Sequence, residues 1–306
     1  MRNAFVAELT ELAARDERVV LLTGDLGFSV LEPFAERFPD RFFNCGVAEQ
    51  NMTGVATGLA EAGFVPFTWS IATFATLRPY EFIRNGPALH GLPVRVLGIG
   101  GGFDYGHNGI SHFALEDYAV MRAQPSMTVV SPADADQARA AVRATADHDG
   151  PIYFRLSKKG AALPGLDGRF ALGAAEVLSE GTDVALVAIG SIAHEAVGAA
   201  QRLAEVGIGA TVVVVSSFNP APEEDLAEAL AQVPLAVTVE AHYRQGGLGS
   251  LVAEVIAERG LPCRLVRAGV ERMPAGRSGS QAYLEDAHGL SAERLVAAVQ
   301  ASLSVA

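Results

Sequence analysis

The sequence predicts an α/β chain of two domains with mainly parallel sheets. Three observations support that reading. Short apolar runs of strand character alternate with helix-like segments, which is the rhythm of a parallel sheet with crossover helices. A Gly/Ala/Leu/Pro stretch interrupts the rhythm after Leu156. The length, 306 residues, exceeds that of one ordinary domain.

Taken in order, the opening MRNAFVAELTELAARDERVV forms an amphipathic helix carrying acidic residues, which is not the pattern of a signal peptide. Strands are expected at 19–22, 64–67, 94–99, 128–131 and 152–156, with helices at 51–62, 78–88, 116–122 and 133–146 between them. The last helix follows Ser131-Pro132, where Ser131 suits the cap and Pro132 the first turn. The alternation resumes with strands at 184–189, 211–216, 237–240 and 263–266, a helix after Ser191 and another over 248–259. The expected domains are therefore 1–160 and 181–306, joined by a linker over 161–180.

Composition excludes several classes of function. Half of the residues are apolar and 19% are charged, yet no apolar run reaches the roughly 20 residues that span a bilayer. The surplus apolar surface is expected in cores and a large subunit interface, and the chain in the cytoplasm. A net charge of −12 argues against nucleic acid as a partner. Cys45 and Cys263 are the only cysteines and lie far apart, so neither a disulfide framework nor a zinc site is expected. His107 and His112 share a Gly-rich loop without the carboxylates of a metal site, so no metal ligands are assigned to this chain. There is no GxSxG elbow and no P-loop, and Gly98 to Gly102 lacks GxGxxG spacing.

What remains is Glu49, within Gly46-Val47-Ala48-Glu49-Gln50-Asn51-Met52. It opens a helix whose small residues Gly54, Ala56, Gly58 and Ala60 permit close approach of another element. Taken alone, it also suits an acid in a first helical turn, facing the helix dipole.

The segment FFNCGVAEQNMTGVATGLAEAGFVPF resembles the pyrimidine-binding domain of transketolases. The resemblance continues through IATFATLRPYEFIR, GISHFALEDYAVMR and PSMTVVSPAD. In the last part it extends to GGLGS and SGSQAYLEDAHGLSAERLV, so it covers the chain. It implies a thiamine-diphosphate-fold pyrimidine domain followed by a transketolase C-terminal domain. It also implies transfer of a two-carbon ketol unit from a ketose, expected to be phosphorylated, to an aldose. Glu49 matches the family glutamate that hydrogen-bonds N1′ of the cofactor's aminopyrimidine and drives deprotonation at C2. Phe74 matches the ring that stacks on the pyrimidine, Ile71 stands where a second aromatic is common, and Asp25 matches an acidic residue shaping the pocket. Arg2, Ser29 and Arg155 match positions that hold a sugar phosphate, and Arg78 matches a phosphate contact of deoxyxylulose-phosphate synthases. His112 matches the histidine that assists proton transfer at a substrate hydroxyl.

Three positions depart from the family pattern. Asn108 replaces the Asp that reads a sugar hydroxyl, Gly100 replaces a His near the substrate phosphate, and Phe113 replaces the Gln after His112. These departures point away from the common pentose-phosphate substrates. The family's diphosphate motif, GDG with a following Asn, is also missing. The resemblance therefore implies the C-terminal subunit of a split transketolase. Its N-terminal partner would carry the diphosphate and Mg²⁺ site, in an α₂β₂ heterotetramer. Two alternatives stay open at this stage: the β subunit of a 2-oxoacid dehydrogenase-type thiamine enzyme, and a non-catalytic regulatory subunit.

Overall fold

The computed structural model describes residues 1–304 and contains two sheets. The first part runs α1 (Arg2–Arg15), β1 (Val19–Thr23), α2 (Glu32–Arg37), β2 (Phe42–Asn44), α3 (Glu49–Glu61), β3 (Val65–Ile71), α4 (Ala72–Leu77) and α5 (Tyr80–Ile83). It continues through β4 (Arg95–Ile99), α6 (Asp117–Arg122), β5 (Thr128–Val130), α7 (Ala135–Ala144) and β6 (Ile152–Leu156). The second part holds β7 (Ala175–Ser179), β8 (Val184–Ile189), α8 (Ala193–Glu205), β9 (Ala210–Val215), β10 (Ser217–Asn219) and α9 (Glu223–Ala231). It ends with β11 (Leu235–Tyr243), α10 (Leu248–Arg259), β12 (Arg264–Val270), α11 (Gln281–Ala287) and α12 (Ala292–Leu303).

The first sheet has the order β10-β5-β6-β4-β3-β1-β2 and the second β12-β11-β8-β9-β7. Both are parallel except at one edge, where β10 and β7 run antiparallel to β5 and β9. Strands β1, β3, β4, β6 and β8 are buried along their whole length, because helices cover both faces. Parallel strands share one carboxyl edge, where ligand sites of open α/β sheets form. In the first sheet Thr23 pairs with Trp69, and Ile71 with Ile99. The chain therefore leaves β1, β3 and β4 along a common edge.

The segment between the two sheets is partly ordered into a strand. Residues 175–179 lie inside the expected linker yet form β7, because Ala175 to Ser179 ladder onto β9. Strand β10 follows β9 in the chain but completes the first sheet, with Ser217 paired to Val130. One continuous core runs across the junction, placing Tyr118, Met127 and Val129 among Val213, Phe218 and Leu248. Among the described residues, no helix is long and apolar enough to cross a membrane.

Local chemistry explains two further differences. The expected helix at 78–88 is present from Tyr80 but irregular, α5 widening into a π turn over Arg84–Ala88. Pro79 precedes its start and Pro87 lies within the turn, where a missing N–H breaks the regular ladder. Helix α7 is capped by Asp134, whose Oδ1 accepts from the Gln137 amide at 2.8 Å, and not by Ser131. The Ser131 hydroxyl is engaged with Tyr118 Oη at 2.6 Å instead.

Candidate active site

Glu49 is the first residue of α3 and only 1% exposed. Its approach is fixed by the turn before it. Gly46 takes φ +69°, a conformation open to glycine at little cost. Its amide donates to Asn44 Oδ1 at 3.0 Å, while Asn44 Nδ2 donates to Asp25 Oδ1 at 2.8 Å. Asp25 thus acts on the motif through Asn44. It holds φ +59°, and Ser29 on the same loop holds φ +63°. Two strained non-glycine residues in one loop are a feature of functional segments.

A buried carboxylate must be hydrogen-bonded or paired to be tolerated. The Ser70 hydroxyl, near the end of β3, donates to Glu49 Oε1 at 2.8 Å. Arg78 Nη1 donates to Glu49 Oε2 at 2.9 Å. The same guanidinium lies 3.8 Å above the centre of the Phe74 ring, within cation–π range. Glu49 and Phe74 are therefore one planar group apart.

From Phe74 the contacts continue outward. His112 meets Phe74 edge-on, ring centres 5.1 Å apart, and its Nδ1 lies 3.0 Å from Ser111 Oγ. Tyr105 sits 6.1 Å from the His112 ring, and the Lys158 ammonium stands 4.5 Å over Tyr105. Burial pushes the Tyr105 phenol pKa up, while the positive charge of Arg2 pulls it back. Lys158 thus serves the Tyr105 end of the group. Gly100 explains itself here: at φ +77° its added Cβ would lie 2.2 Å from Tyr105 Cε2. The Tyr105 ring fills the space of any side chain at 100. Gly100→Ala is expected to cost about 1–3 kcal/mol through backbone strain and overpacking. A lowered urea midpoint measures the cost, and a changed Tyr105 signal shows the displaced ring.

The expected site residues are not all brought together. Glu49, Phe74, Arg78 and His112 are in direct succession, and Ile71 is buried at the end of β3 three residues before Phe74. Asn108 is exposed on the loop leading to His112, and Ser29 is exposed beyond Asp25. Two of the expected arginines are engaged by groups of the chain itself. Arg78 engages Glu49 and Phe74, not an open anion site. Arg155 is buried at the domain junction, donating through Nε to Asp117 Oδ2 at 2.7 Å. Its Nη2 donates to the carbonyls of Ala114 and Ala241 at 2.9 Å. Nε and Nη2 are thus both engaged within the chain. Conversely, Ser70, Tyr105 and Lys158 belong to the group although sequence reasoning passed over them. Ser70 is the polar residue in the otherwise apolar WSI at the end of β3, and that break in pattern was its signal.

Residues 1–162 match the transketolase pyrimidine binding domain, and residues 173–295 match the transketolase C-terminal domain. The chain belongs to the transketolase family. It is 38% identical over 299 residues to a putative transketolase C-terminal section of Methanocaldococcus jannaschii, covering 96% of this chain and 93% of that one. It is 39% identical over 300 residues to a subunit of 6-deoxy-6-sulfo-D-fructose transketolase from Clostridium sp., covering 97% and 92%. Among solved structures, a split-gene transketolase described as an inactive β₄ tetramer superposes with a TM-score of 0.90 at 40% identity, covering 99% and 98%. The site edge of this transketolase chain is the edge from which Glu49 and Phe74 project.

Proposed function

We propose that this chain is the C-terminal subunit of a two-component thiamine-diphosphate-dependent transketolase. It would move a two-carbon ketol unit from a ketose to an aldose. The observation that carries the reading is that one planar group, the Arg78 guanidinium, reaches both a 1% exposed carboxylate, Glu49, and the aromatic face of Phe74. A flat heterocycle bearing a basic nitrogen satisfies both at once. When bound, thiamine diphosphate supplies an electron sink that no side chain provides. Glu49 holds the proton at N1′ of the aminopyrimidine, oriented by the Ser70 hydroxyl on its other oxygen. Phe74 and Ile71 give the ring its walls, and Asp25 fixes the turn that aims Glu49. His112, held by Ser111 and Phe74, moves a proton at the substrate hydroxyl.

The substrate is a sugar with a terminal anion, recognised by Lys158 over Tyr105 and by Arg2, with the exposed Ser29 and Asn108 at the rim. The Clostridium relative's sulfonated sugar is such a substrate by its name, and Asn108 and Gly100 suit a ligand outside the common pentose phosphates.

The diphosphate and Mg²⁺ are assigned to an N-terminal partner subunit. Large apolar side chains stand exposed on the loops that follow β1 and β2 at the site edge: Phe28 at 77% and Val47 at 71%. Surfaces of that kind mark subunit contacts. The β₄ assembly of the split-gene relative is named as inactive, which agrees with dependence on a partner. The working form is assigned to an α₂β₂ heterotetramer in the cytoplasm.

The test is reconstitution with the N-terminal subunit, thiamine diphosphate and Mg²⁺. Ketol transfer from 6-deoxy-6-sulfo-D-fructose or a ketose phosphate to an aldose is the expected result. Turnover of a 2-oxoacid with an electron acceptor, and none of a ketose, would reassign the chain to the dehydrogenase-type β subunits. His112→Ala is expected to lower kcat by about 10²-fold or more while cofactor binding, followed by calorimetry, stays unchanged.

A further inference from the structure

We propose that Arg78 is an internal stand-in for the aminopyrimidine, seated on Glu49 and Phe74 until the cofactor takes its place. The inference rests on the functional reading above and concerns how that site is kept before loading.

Three properties define a ligand for this site: a flat shape, stacking distance from Phe74, and an N–H aimed at Glu49. The Arg78 guanidinium has all three. It is planar, lies 3.8 Å from the Phe74 ring centre and donates to Glu49 Oε2 at 2.9 Å. Phe74 has two faces, but only the one toward Glu49 lets a single flat group touch both residues, and Arg78 lies on it. The two groups therefore compete for one place.

Burial shows which partner is fixed. The Glu49 side chain is 1% exposed, held on its other oxygen by Ser70, whereas the Arg78 side chain is 38% exposed. Arg78 belongs to a surface segment, between the end of α4 at Leu77 and Pro79, and reaches inward from it. It can leave for solvent without unpacking the core; Glu49 cannot. In place, Arg78 neutralises the buried carboxylate and covers an aromatic face that would otherwise be exposed. Its departure subtracts from the cofactor's apparent affinity, as any occupied competing state does.

The experiment follows the Arg78 Nε–Hε signal of the wild-type chain by NMR, assigned by comparison with Arg78→Lys. In the free chain it is expected upfield, under the Phe74 ring current. On loading with the N-terminal subunit, Mg²⁺ and thiamine diphosphate it is expected to return to the ordinary arginine region. Calorimetry of the reconstituted pair is expected to show Arg78→Ala binding thiamine diphosphate about tenfold more tightly than wild type, with Arg78→Lys between them. A signal that stays ring-shifted in the loaded complex overturns the proposal and makes Arg78 a permanent neighbour of Glu49. Weaker binding in Arg78→Ala than in wild type overturns it equally. In both those cases a loss of binding in Glu49→Ala leaves the functional reading standing. If Glu49→Ala binds as tightly as wild type, both fall.

Discussion

Glu49→Ala is expected to all but abolish turnover by the reconstituted enzyme, lowering kcat by about 10⁴-fold, the upper end of what one proton-handling group contributes. The same substitution is expected to leave the chain folded, with a melting temperature equal to or above that of the wild type. The two expectations have one cause. A carboxylate at 1% exposure is held out of water and repaid only by Ser70 and Arg78. Removing it ends the desolvation cost, and Arg78, 38% exposed, turns to solvent without leaving a buried charge behind. Sites kept for chemistry at the expense of stability behave in this way. Steady-state rates and a thermal melt on one preparation check both halves. A Glu49→Ala chain that turns over like wild type would remove the catalytic assignment. A chain that loses activity and unfolds together would make Glu49 a structural residue.

Legibility in the sequence followed the range of the forces involved. Strands such as Ile152–Leu156 and Val184–Ile189 were readable because full burial demands an uninterrupted apolar run. Helix α10 was readable to its ends, since Gly247 precedes it and Gly260 closes it at φ +62°. Strands β2 and β10 were not, because each has three residues, nor was β7, a half-exposed edge strand without an apolar run; each belongs to its sheet through a distant partner: Leu21, Val130 and Val215 respectively. The same division holds in the site. Glu49, Phe74 and His112 stood in motif segments whose order survives in one dimension. Tyr105 and Lys158 meet only after β4 and β6 have paired, and neither carries a local pattern. The two arginines show the limit most clearly. An arginine's type announces an anion but not which one, and here Arg78 and Arg155 each found an acid of this chain, Glu49 and Asp117.

That second pair yields the largest expected effect on stability. Asp117→Ala is expected to lower unfolding free energy by about 3–5 kcal/mol, the usual consequence of removing one partner of a buried ion pair. Arg155 is 7% exposed and lies 4.1 Å over Tyr118, so its charge cannot reach water when Asp117 is gone. Tyr153 Oη, which donates to Asp117 Oδ2 at 2.7 Å, loses its acceptor in the same stroke. The damage falls at the domain junction, because Arg155 extends from β6 to the carbonyl of Ala241 in β11. It should therefore be felt by both sheets at once, in a lowered urea midpoint reported alike by near-ultraviolet and far-ultraviolet signals. Arg155→Met, which removes the buried cation and keeps much of its volume, is expected to be milder when combined with Asp117→Ala than either change alone would add up to. A substrate role for Arg155 predicts the opposite pattern: a raised KM for the anionic sugar in Arg155→Met, with the urea midpoint of Asp117→Ala unmoved. The buried Asp117–Tyr153–Arg155 cluster at the junction favours the structural outcome.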